Sequence, residues 1–189
     1  MSGKRLDLGR IEAALPALQR RFSEIDAALA AAREAPDDEL VHDLLAGYAL
    51  VDQLAGAGVE LFARSGSEHL REVGTLVPCG EAPSRLAEFE PHRAANEGWF
   101  YDARRGNTGG LVDWYQRHAG DSPFERAAGV YVRLLSEPQL FIEGNHRTGA
   151  LVMSHILVRA GLPRFVVSIA NARCYVDPST MIRGKRKNG

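Results

Sequence analysis

The chain has 189 residues, enough for one domain with a sizeable core or for a domain with a helical extension. Apolar residues make up 45% and charged residues 25%, and a net charge of −1 supplies no global field toward nucleic acid or a membrane surface. Cys79 and Cys174 fit no metal-ligand spacing, the first residues lack an apolar signal core, and no stretch is apolar for long enough to span a bilayer. These features lead us to expect a cytoplasmic protein with reduced thiols and with neither nucleic acid nor membrane as partner.

From Leu8 to about Glu34 the apolar residues Ile11, Leu15, Leu18, Phe22, Ile25 and Leu29 recur in steps of four and three, a narrow seam on one long helix. The seam fits an antiparallel partner in the same chain or a coiled-coil dimer. Ala35-Pro36-Asp37-Asp38 breaks the pattern and can cap a second helix, whose inner face carries Leu40, Leu44, Tyr48, Val51 and Leu54. Together they predict an N-terminal helical hairpin. A short third helix is expected over Ser67 to Leu76, and Pro78 and Gly80 punctuate the loop after it. A weakly helical segment is expected between Pro83 and Pro91. Trp99-Phe100-Tyr101, followed by a turn-rich run to Gly110, reads as a strand edge entering a β-hairpin.

The second half is more regular. Ser122-Pro123-Phe124-Glu125 has capping-box spacing with proline at the first helical position, and the helix it opens runs to Pro138. A loop from Gln139 to His146 leads into a helix over Arg147 to Ala160 that is apolar on nearly every side, the mark of a helix central to a core. Phe165 to Ile169 reads as a short strand and Asp177 to Thr180 as a turn. The chain closes on Arg183, Lys185, Arg186 and Lys187, read as a solvated terminus.

The loop before the apolar helix carries the chemistry. A helix start has amides with no internal acceptor and a partial positive charge. Gly144 allows close backbone approach, Arg147 adds a forked cationic donor, and Thr148 adds a hydroxyl, so the stretch can hold a phosphate. Glu143 is a hard oxygen ligand suited to Mg²⁺ bridging a nucleotide's phosphates. On these residues alone, a plain helix start with Glu143 capping free amides remains the competing reading.

The stretch Gln139-Leu140-Phe141-Ile142-Glu143-Gly144-Asn145-His146-Arg147-Thr148-Gly149-Ala150 resembles the motif of the Fic family, His-x-Phe-x-[Asp/Glu]-[Gly/Ala]-Asn-[Gly/Lys]-Arg-x-x-Arg. Phe141, Glu143, Gly144, Asn145 and Arg147 match it, within a resemblance running roughly from Phe89 to Pro163. The resemblance implies a mainly α Fido-fold helical bundle with a small β-hairpin flap. Residues 1–80 would form an N-terminal helical region and 81–189 the Fic-like core with a short C-terminal strand and tail. Fic-like proteins move part of a nucleotide, often AMP from ATP, onto a hydroxyl of a target protein. By that resemblance Phe141 anchors the loop, Glu143 holds Mg²⁺, and Gly144, Asn145 and Arg147 line the anion hole. His146 and Thr148 join them as phosphate contacts. Trp99 to Gly110 would be the flap that aligns a target by strand addition, and a small regulatory partner is possible by analogy.

Three positions depart from the pattern. Gln139 stands where the family has its catalytic histidine, and an amide cannot take a proton near neutral pH; losing a positioned base costs roughly 10²–10⁴ in rate. Ala150 stands where a second arginine would hold phosphate, and His146 replaces a small residue or lysine. His146 and Glu137 are the substitute-base candidates; His146 fits a phosphate contact or structural hydrogen bond better. His155, in the apolar helix, reads as a core histidine. Three functions follow: a Fic-like protein binding ATP, another nucleotide or another phosphate ligand with impaired transfer; an active transferase using His146 or Glu137; or an interaction module without a ligand.

Overall fold

The helix without a polar face becomes the axis of the structure. It spans Asn145–Arg159 and is the eighth of nine described α-helices in the computed structural model, which describes residues 5–80 and 87–185. In chain order the others are α1 (Leu8–Arg20), α2 (Phe22–Asp26), α3 (Asp38–Gly56), α4 (Ser67–Cys79), α5 (Glu90–Tyr101), α6 (Thr108–Arg117), α7 (Pro123–Leu135) and α9 (Ala172–Arg183). The central helix, α8, packs against α3, α4 and α7. Around this axis α1 lies on α3, α9 on α7, and α5 bridges α4 and α6. The fold is therefore mainly helical, and no described helix is long and apolar enough to cross a membrane.

Local signals set most of these elements. Asp37 accepts the Leu40 amide at 2.7 Å to cap α3. Ser122 and Glu125 form the reciprocal capping box of α7, the two bonds measuring 2.9 and 3.3 Å. One hydrophobic cluster joins Leu6 in the first residues to Val158 in α8, so the core is shared across the expected division at residue 80. A smaller cluster holds Tyr131, Leu135, Ala150 and Tyr175 under α9. Cys79 is buried and Cys174 exposed, and neither forms a disulfide among the described residues.

Four expectations fail for identifiable reasons. The long first helix stops at Arg20, and after short α2 the chain turns. The amide of Ala30 is taken by Asp177 at 2.9 Å and that of Arg33 by Asp26 at 2.7 Å, so carboxylates replace the helical acceptors. The β-hairpin flap expected over Trp99 to Gly110 is not formed: Trp99-Phe100-Tyr101 is the last turn of α5, and Asn107 (φ 54°) caps α6 by accepting the Gly110 amide at 3.0 Å. Asn96 and Phe100, four apart, are both buried, so helical spacing overrides the β preference of the aromatics.

Phe165 to Ile169 forms no strand among the described residues: the chain is irregular through Ser168 and turns at Ile169. Ser154 Oγ donates to the Phe165 carbonyl at 2.5 Å and accepts its amide at 3.0 Å, while Tyr48 Oη also donates to that carbonyl at 3.0 Å. Side chains thus satisfy a backbone that would otherwise need a ladder. The expected turn at Asp177 to Thr180 lies within α9. The residues between Pro83 and Pro91 fall partly outside the described ones.

Phe141 joins the loop ahead of α8 to this core. It is fully buried, its ring stacks on Phe100 at 5.1 Å, and it fills the space over Gly74, where a Cβ would come within 2.2 Å of its ring. Phe141→Ala is expected to lower unfolding stability by about 3–5 kcal/mol, the usual cost of emptying a buried aromatic site. Urea unfolding followed by circular dichroism checks it; a loss below about 1 kcal/mol would mean that the ring is not a core anchor.

Candidate functional site

The site grows from the turn that carries the chain out of α7 and into α8. Leu140 donates its amide to the Leu134 carbonyl at 3.1 Å, tying the turn to the end of α7. Asn145 then closes it from the other side. Its Oδ1 accepts the Phe141 amide at 2.9 Å, and its Nδ2 donates to the Phe141 carbonyl at 2.7 Å and to Gln139 Oε1 at 3.1 Å. From α5, Asn96 Oδ1 accepts the Ile142 amide at 3.0 Å and Trp99 Nε1 donates to the Gln139 carbonyl at 2.9 Å. Sequence spacing connects neither Asn96 nor Trp99 to this loop, because both lie about forty residues ahead of it.

Gly144 then turns the chain with φ 74°, a left-handed conformation that glycine adopts without strain. Among the described residues no side chain caps α8. Its first internal bond runs from the Thr148 amide to the Gly144 carbonyl at 2.9 Å, which leaves the amides of Asn145, His146 and Arg147 ahead of the helical ladder. The competing reading, a helix start plugged by Glu143, is therefore not what this turn does.

A cavity of about 540 Å³ opens beside this helix start. Gln139, Glu143, Gly144, Asn145, His146 and Arg147 all line it. So do two residues the sequence did not connect to the loop: Arg33, after α2, and Arg183, at the end of α9. Arg183 is exposed, as expected of a solvated terminus, and it also borders the cavity. Among the described residues none of the three arginines forms an ion pair with a carboxylate. Arg33 donates to Thr180 Oγ1 at 3.0 Å. Burial works against the charge on Arg147, opposed by the nearby carboxylates of Glu143, Asp43 and Asp37, but a guanidinium stays cationic at any accessible pH.

The remaining expected site residues divide by position. Glu143 is about half exposed and its Oε1 lies 3.2 Å from His92 Nε2. A single carboxylate of this kind suits Mg²⁺ whose other oxygens come from a phosphate ligand and water. Among the described residues there is no cluster of three or more His, Cys, Asp or Glu that would hold a metal by itself. Thr148 is fully buried, does not line the cavity, and has an unpartnered hydroxyl behind Gly144. Glu137 is exposed and off the cavity, with its amide bonded to the Lys185 carbonyl at 2.9 Å. Ala150 lines the cavity as a plain apolar surface.

His146 is locked in a ring of hydrogen bonds. Tyr131 Oη donates to the Tyr175 carbonyl at 3.1 Å, and Tyr175 Oη donates to the His146 carbonyl at 2.5 Å. With its single proton so used, Tyr131 accepts from His146 Nε2 at 3.1 Å, an assignment that places the imidazole proton on Nε2. Burial, with repulsion from Arg33, Arg183 and Arg147, pulls the His146 pKa down to about 4. The ring is neutral at pH 7, so it is not the imidazolium that a phosphate contact would use and is a weak base. Gln139 has both amide groups engaged, Nε2 donating to the Leu135 carbonyl at 3.3 Å and Oε1 accepting from Asn145. It braces the loop where the motif's base would stand.

No family model, curated protein or solved structure matches this chain.

The histidines make stability depend on acid. His155 is fully buried in α8, neither ring nitrogen makes a well-formed hydrogen bond among the described residues, and burial lowers its pKa to about 4. Like His146, it binds its proton more readily unfolded than folded. Stability from both is complete above pH 6.5 and is lost as pH falls toward 4. For His155 the full loss is on the order of 3 kcal/mol, since each tenfold weakening of proton binding corresponds to about 1.4 kcal/mol. Urea unfolding at pH 7.5 and 4.5 checks this: His155→Leu should lose less stability than wild type between the two. Equal losses would show that His155 is not held neutral.

Proposed function

We propose that the chain is a Fic-like helical protein of the Fido type that binds a phosphate-bearing ligand at the start of α8 and has lost the family's ordinary nucleotidyl transfer. One observation carries the reading: an uncapped helix start, with Arg147 in its first turn and no carboxylate paired to it among the described residues, opens onto a solvent-open cavity also lined by Arg33 and Arg183. Free amides, the helix dipole and three guanidiniums act on one space, which favours an anion. ATP or another nucleotide is the ligand that the resemblance implies.

The chain's own groups have separable parts to play. The amides of Asn145, His146 and Arg147 and the three guanidiniums bind and orient the phosphate. The Asn145 carboxamide is already engaged in holding the turn, so only its main-chain N–H is left for the ligand. Glu143 would hold Mg²⁺, which when bound neutralises phosphate charge. Gln139 occupies the motif's base position with a side chain that cannot take a proton. Transfer by a substitute base has little support, since Glu137 lies off the cavity and His146 is neutral with Nε2 committed to Tyr131. An interaction module has little support either, because the seam it would dock with faces α3 and the cavity.

Isothermal titration of the full chain with inorganic phosphate, ADP and ATP, each with and without Mg²⁺, tests the binding. At least one should bind, and Arg147→Ala should weaken it by about tenfold or more, the loss expected of one charge-assisted contact. No binding by any of the three, or binding indifferent to Arg147→Ala, would remove the proposal. Gln139→His should raise transfer of a nucleotidyl group to protein hydroxyls, scored by mass spectrometry, by roughly 10² or more over wild type if only the base is missing; wild-type transfer at the variant's level would show that the base was never lost.

A further inference from the structure

The cavity says what the phosphate carries. At about 540 Å³ it is far larger than a phosphate needs and falls among sites that enclose a whole organic ligand. Its positive charge is gathered near His146, where Arg33, Arg183 and Arg147 are all close enough to oppose protonation of the ring, while the carboxylates of Glu34 and Glu143 also line the cavity. Its remaining wall is largely apolar, mostly aliphatic with the rings of Phe22, Tyr48 and Tyr175. Leu18, Phe22, Leu29 and Leu40 line it, are only half-buried, and pack into neither hydrophobic cluster among the described residues. Apolar side chains held around a cavity but outside the core leave their surface for an apolar guest.

A nucleoside would need hydrogen-bonding partners for its base and ribose. Apart from the charged groups, the polar side chains of the lining are engaged within the chain. Asn145 and Gln139 bond one another. The hydroxyls of Tyr48, Tyr175 and Ser179 donate to the carbonyls of Phe165, His146 and Val176. Groups already bonded in a preformed wall offer little discrimination for a base edge.

We infer that the ligand is a phosphate monoester of a single aliphatic chain. Its head sits at the start of α8 among Arg33, Arg147 and Arg183, and its tail runs along Leu15, Leu18, Phe22, Leu29, Leu40 and Leu44. The inference rests on the anion-site reading above and specifies the group attached to the phosphate.

Titration of the full chain with inorganic phosphate, butyl, octyl and dodecyl phosphate below their micelle thresholds, dodecanoate, and ATP with Mg²⁺ tests it. Affinity should rise roughly fourfold for each methylene buried, so octyl phosphate should bind about 100-fold or more tighter than butyl phosphate. Leu18→Gln and Leu40→Gln, both outside the core, should flatten that rise and leave inorganic phosphate binding unchanged. Dodecanoate should bind at least about tenfold more weakly than dodecyl phosphate, as the doubly charged head makes more charge-assisted bonds. Affinity independent of chain length, or ATP with Mg²⁺ binding more tightly than octyl phosphate, would overturn the aliphatic ligand while leaving the anion site standing. Equal binding of dodecanoate and dodecyl phosphate would overturn the phosphate head. If neither phosphate nor any phosphate ester binds, the anion-site reading falls and the inference with it.

Discussion

The Asn145 carboxamide is the interaction on which the rest of the site depends. Three hydrogen bonds from one buried side chain hold both main-chain groups of Phe141 and the side chain of Gln139. They fix the turn at a width of four residues and set the point at which α8 can begin. Because the carboxamide bonds across the turn, it is not available to cap α8, and Gly144 has no side chain to offer. The loop is thus tightly satisfied inside while the first amides of the next helix are left facing outward. A polar side chain buried in this way is costly to leave unmatched, so the geometry is strongly determined.

The central helix explains why this turn faces a cavity at all. α8 is enclosed by α3, α4 and α7 along its length, which leaves its N-terminal end as the place where its polarity meets open space. Phe141 and Leu140, both fully buried, pull the turn down onto the core just before that end. The N-terminal helices then close the space from the side. Ile11 and Leu15 are buried, whereas Leu18 and Phe22, further along the same seam, are half-buried and line the cavity. One apolar stripe therefore serves two purposes: core packing at its start and cavity wall at its end.

Electrostatics and burial reinforce one another at this end of the molecule. Three arginines around one cavity repel a proton from His146, and burial does so more strongly still. The imidazole stays neutral and serves as a structural member of the Tyr131–Tyr175 ring. The residue that looked most reactive in the loop is thereby made inert, and the positive charge is carried by groups that cannot lose it. This pairing of a neutral histidine with fixed cations suits holding an anion more than moving a proton.

Local chemistry in the chain was sufficient for the caps at Asp37 and Ser122, for the central place of the apolar helix, and for the helix-start loop from Phe141 to Arg147. Each depends on residues within a few positions of one another, so spacing alone carries the information. What only the tertiary structure decided are the features made by distant residues. Trp99 to Tyr101 are helical because Asn96 and Phe100 find partners more than forty residues away, at Ile142 and Phe141. Phe165 needs no strand partner because Ser154 answers its amide and carbonyl. Arg33 and Arg183 meet Arg147 through the packing of three separate elements, a convergence that no local periodicity encodes.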